Sequence, residues 1–126
     1  MGSETYHEPL ELISEKTKNL HRGIVSLMEE LEAIDWYQQR ADACSDDELK
    51  RVLLHNRNEE IEHAVMTLEW IRRSHQHFDR QLRTYLFSAG PITGIEERAE
   101  GESAEAATPA TRSGGCLDVG SLKGGS

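Results

Sequence analysis

The chain has little proline, little cysteine, few basic residues and no long apolar run. No stretch approaches the about 20 apolar residues of a membrane-spanning helix, which excludes a helical span. Only Pro9, Pro91 and Pro109 interrupt 126 residues, so long segments are free to run as unbroken helices. Cys44 and Cys116 lie far apart in the chain, too far for a metal knuckle and too few for a disulfide framework. They read as free thiols of a reducing cytosol. Lys and Arg number 14 against 23 Asp and Glu, a net charge of −9, and this excludes nucleic acid and anionic membrane surfaces as partners. The opening MGSETYHEPLE has neither a basic head nor an apolar signal region, so secretion is not expected.

What is present is helical. Of the 23 acidic residues 17 are Glu, a good helix former whose carboxylate also suits hard and borderline cations. From Pro9 to about Arg40, Leu20, Ile24, Leu27, Leu31 and Ile34 recur at steps of three and four, and Pro9 fits the first turn. Ser45 and Glu48 have capping-box spacing and open a second helix that runs to about Ser74. A third piece is expected over 77–88, stopped by Gly90-Pro91, and a short one over 92–99. Residues 100–115 are too polar to bury a core and read as a disordered linker. Residues 1–99 thus form the single domain, with a tail at 116–126.

The short connection near Cys44 predicts an antiparallel two-helix hairpin in an all-α fold. Helix 2 carries two apolar stripes, one with Leu49, Val52, Leu53, Ala64, Trp70 and Ile71, the other with Leu54, Ile61, Val65 and Leu68. One partner helix cannot cover both, so a second subunit is expected.

Glu60 and His63 fall on the first stripe, where an unpaired carboxylate costs several kcal/mol unless it is protonated or finds a cation. Glu60-Ile61-Glu62-His63 is E-x-x-H, which puts both side chains on one helical face. By rise from the turn, Glu30 on helix 1 reaches the same height. One Glu plus one Glu-x-x-His is half of a ferritin-like site, and a two-fold dimer would complete it as a four-helix bundle. The plainer alternative is a core histidine satisfied by Glu60 or Thr67. Tyr37, seven residues after Glu30, either hydrogen-bonds a ligand or lines an interface. Trp36, Glu32, Glu29 and Val25 share the opposite face, which is either a cation approach or a solvated acidic surface. A second E-x-x-H, Glu4 to His7, carries no assigned function, and His21, His55, His75 and His77 have no evident partners.

The stretches HEPLE, IVSLMEELEAIDWY, HNRNEEIEHAVMTLEW and LRTYLFSAGPIT, with LDVGSLKG near the end, resemble the encapsulated ferritins, cargo of encapsulin nanocompartments in the ferritin-like superfamily. The resemblance implies a ferroxidase that oxidises Fe(II) with dioxygen at a di-iron site shared by two subunits, each giving Glu30, Glu60 and His63. It implies a ring-like decamer of five dimers that delivers iron for storage inside an encapsulin shell in the cytoplasm. Residues 116–126 would be the encapsulin-targeting peptide, with 116–123 as the docking segment. Glu29 and Glu32 match positions linked to secondary metal binding. The alternative is a non-catalytic helical cargo or scaffold whose dimer is glued by zinc or calcium. A metal-free structural oligomer is the third reading.

Overall fold

The computed structural model describes residues 5–107, and among these the secondary structure is helical with no strand. The expected all-α class holds. The chain divides after His75 into two compact units.

The first unit is the hairpin. A short 3-10 turn at Leu10–Leu12 precedes α1, Glu15–Ala43, and α2 spans Asp47–Ser74. Pro9 opens the 3-10 turn and not the long helix. The chain then extends through Ile13, and α1 starts only where Ser14 Oγ accepts from Thr17 N–H at 3.1 Å, supplying the partner that a first-turn amide lacks. α1 continues past Arg40 to Ala43 before Cys44 turns it.

The cap of α2 is Asp46, one residue beyond the expected Ser45, with its carboxylate accepting from Leu49 N–H at 2.9 Å. Glu48 pairs forward with Arg51 instead of back to Ser45, and Asp46 brings negative charge to the helix N-terminus. Each long helix spans about 43 Å at about 1.5 Å per residue.

The hairpin core is thin. Only Ala41, Ala64 and Ile71 are buried among its apolar residues. Gly23 makes the closest approach possible, since a Cβ there would lie 3.2 Å from the Trp70 ring and 3.4 Å from Ile71 Cγ1. Much of both α2 stripes stays open: Leu49, Val52, Ile61, Val65 and Trp70 are all exposed, Val65 at 59%. This is the uncovered apolar surface that two stripes and one partner helix predict.

In the second unit α3 runs Gln76–Tyr85, ending sooner than residue 88, and is stitched by Asp79–Arg83. Phe87 follows in the left-handed region at φ 60° with its side chain fully exposed, and Gly90 turns at φ 86°. α4, Ile92–Ala107, overruns the expected stop at 99 and takes the first eight positions of the expected linker. Composition there is too polar for a core, but Ala and Glu favour helix without one. The remainder of the linker and the tail at 116–126 lie outside the described residues. No described helix is long and apolar enough to cross a membrane.

Candidate metal centre

α1 carries Glu30 and α2 carries Glu60 and His63. The i, i+3 spacing sets the latter two on one face, and the antiparallel pairing brings Glu30 opposite them. One ligand atom from each lies within 4.8 Å of the others. His63 Nδ1 is 3.5 Å from Glu60 Oε1 and 3.7 Å from Glu30 Oε1.

The three do not lie in a closed core. The Glu30 and Glu60 side chains are 26% exposed and that of His63 42%. Helical phase correctly picks the side that faces the partner helix, but two helices enclose no interior, so the group stays part-exposed. The Thr67 hydroxyl donates to the His63 backbone carbonyl at 3.0 Å.

The electrostatics favour a cation. The Glu30 carboxyl is raised above its ordinary 4.5, first by its hydrogen bond with Glu60, then by burial and by the Glu60 charge; His63 opposes this and Glu29 adds to it. Two carboxylates that share a space call for either a proton or a metal. Two oxygen donors and one imidazole suit borderline divalent ions, and their separations need to close only slightly for one ion to reach all three.

The other expected site residues lie apart. Tyr37 is outside the group, its ring under the Arg40 guanidinium at 5.6 Å. Glu29 and Glu32 line a cavity of about 280 Å³ with Val25, Met28, Leu31 and Asp35. Trp36 does not join them; it lines another cavity with Gln39 and Arg40. Asp35 therefore completes an acidic trio that the sequence reading missed. Its place three residues after Glu32 was the available signal. The histidines without evident partners in the sequence do find them: His21 stacks on Tyr6 at 4.3 Å, His55 lies 3.8 Å from Glu59, and His77 Nδ1 lies 3.0 Å from Arg80 Nη1. Also missed was Arg57, half-buried and bonded across the hairpin to Gln38 at 2.6 Å.

The profile of the EncFtn-like family matches residues 5–89, a span that holds the whole hairpin and all three converging side chains. The chain belongs to the EncFtn-like family. An encapsulated ferritin-like protein from Rhodospirillum rubrum is 57% identical over 98% of this chain and 91% of its own length. A ferritin-like protein from Thermotoga maritima is 46% identical over 80% of this chain and 89% of its own length. Among solved structures, the crystal structure of a protein from Nitrosomonas europaea matches with a TM-score of 0.66 at 56% identity, over 69% of this chain and 96% of that one. The EncFtn-like match ends at residue 89, so it does not reach α4 or the tail.

Proposed function

We propose that the protein is a ferroxidase whose Fe(II) substrate binds to Glu30, Glu60 and His63 and is oxidised there by dioxygen. The observation that carries this reading is that two carboxylates and an imidazole meet, part-exposed, across the two helices of the hairpin. The name of the Rhodospirillum rubrum relative, encapsulated ferritin-like protein, supports both iron as the metal and an encapsulin as the partner.

The roles follow from donor chemistry. Glu30 and Glu60 bind in the ionised form, so iron offsets the crowding of charge that raises the Glu30 pKa. His63 binds as neutral imidazole through a free lone pair. Carboxylate oxygens, being hard donors, hold the ferric product better than the ferrous substrate. Four Fe(II) supply the electrons that take one dioxygen and four protons to two waters; two supply the pair that yields hydrogen peroxide.

One chain supplies only half of a di-iron donor set. A second copy placed face to face across Glu30, Glu60 and His63 doubles it, and the exposed Ile61 and Val65 stripe offers a further subunit contact. Five such dimers in a ring complete the assembly we propose. Tyr37 would sit near the iron, and Glu29, Glu32 and Trp36 would bind secondary metal or guide its approach. The tail, residues 116–126, would dock on the encapsulin shell after the linker.

Anaerobic Fe(II) titration of the full chain, followed by oxygen, tests the reading. Saturation at about one iron per chain, rapid ferric absorbance and loss of oxidation in Glu60→Ala and His63→Ala are expected. Binding without oxygen consumption would instead make this a metal-glued scaffold. Deleting residues 116–126 should end co-purification with a co-expressed encapsulin while iron oxidation continues.

A further inference from the structure

Arg57 stands one turn before Glu60 on α2, at the i, i+3 spacing where an arginine and a glutamate pair on a helix. It does not pair with Glu60. All three guanidinium nitrogens go to neutral amide oxygens: Nη1 donates to Gln38 Oε1 at 2.6 Å, and Nη2 and Nε donate to Asn58 Oδ1 at 2.6 and 3.1 Å. Gln38 is itself oriented, since its Nε2 donates to Asp42 Oδ1 at 3.1 Å and leaves Oε1 for Arg57. A charge-assisted bond to a carboxylate is stronger than one to an amide, and this chain is rich in carboxylates, so the choice of amides needs a reason.

We propose that Gln38 and Asn58 park Arg57 away from Glu60, so that Glu60 stays available to a divalent cation. The inference rests on the metal-site reading above and adds to it the device that protects the site from an internal competitor. With the Gln38 acceptor gone, Nη1 loses its partner on α1, and Glu60, at i+3 on the same helix, is a carboxylate at the spacing where arginine and glutamate pair. The guanidinium then occupies the charge that the metal needs. Gln38 and Asn58 are positioning residues, acting through Arg57 and touching no ligand atom of the group.

The test is a titration of the assembled full-length protein with Co(II), read by absorbance or calorimetry and paired with melting temperatures in chelator. Gln38→Leu should weaken Co(II) binding by about two- to fivefold, the range of an exposed ion pair. Adding Arg57→Gln to that variant should restore the wild-type affinity, because the competitor is then gone. A tie that merely fixes α1 against α2 predicts the opposite, a double variant that binds no better than Gln38→Leu and melts lower still. That result, or unchanged Co(II) affinity in Gln38→Leu, overturns the inference while the metal site stands. A wild-type protein that binds no Co(II) at Glu30, Glu60 and His63 overturns both.

Discussion

His63 Nδ1 lies 3.7 Å from Glu30 Oε1, across the hairpin from one helix to the other. Glu60 crowds the same space and holds the Glu30 carboxyl above its ordinary range. Such a cluster works against the fold when it stands empty and for it when a cation is bound. Glu30→Gln therefore has effects of opposite sign. In chelator at pH 7 the variant should melt at or above the wild-type temperature, because one of two neighbouring charges is gone. Its affinity for Fe(II) or Co(II) should drop by more than the about tenfold that loss of even an outer partner costs. A structural clamp would give a lower melting temperature in chelator.

The exposed stripe makes a separate prediction. Val65 is 59% exposed and Ile61 41%, on the α2 stripe that does not carry Glu60 and His63. Val65→Glu places a carboxylate where a further copy should pack. An unpaired charge in such an interface costs several kcal/mol, a rise of about a hundredfold or more in the dissociation constant. Light scattering should find a smaller species, with helical circular dichroism kept. An unchanged mass would place the subunit contact on another face.

Much of this architecture was legible in the sequence because its signals are periodic. Leu20 to Ile34 mark one helix, two stripes mark the other, and rise along the axis puts Glu30 level with Glu60 and His63. What was not legible depends on competition between neighbours. Ser45 and Asp46 can both cap α2, and the pairing of Glu48 with Arg51 helps Asp46 win. Helical phase tells which way Glu60 points but not how deep it lies, because depth depends on how many helices surround it. The Gln38–Arg57 bond joins two long polar side chains on different helices and leaves no periodic trace. α4 exceeds its expected length because helix propensity needs no core.

Gly23 gives a prediction about packing. In an exposed helix interior, replacing glycine usually gains about 0.5–1 kcal/mol. Here the new Cβ would meet Trp70 Cζ3 at 3.2 Å and Cε3 at 3.3 Å. Gly23→Ala should therefore recover little of that gain, and Gly23→Val should lower the melting temperature by forcing Trp70 and Ile71 off α1. Tryptophan fluorescence should move with the melting temperature in the valine variant. A clear rise in melting temperature for Gly23→Val would mean that the two helices separate at this point without cost.

Glu69 predicts a pH dependence at the far end of α2. Its carboxylate takes two bonds from Arg72 at 2.8 Å and one from Arg73 at 2.6 Å, which together lower its pKa from 4.5 to about 2, Arg72 contributing first. A carboxyl whose folded pKa is depressed stabilises the fold above its unfolded value and loses that contribution as pH falls through the folded one. The gap in melting temperature between wild type and Glu69→Gln should thus be full at pH 6–7, shrink below about 4.5 and close near 2. Glu69 is 40% exposed, so added salt should narrow the gap as well. A gap that ignores both pH and salt would show that Glu69 acts through shape and not through its charge.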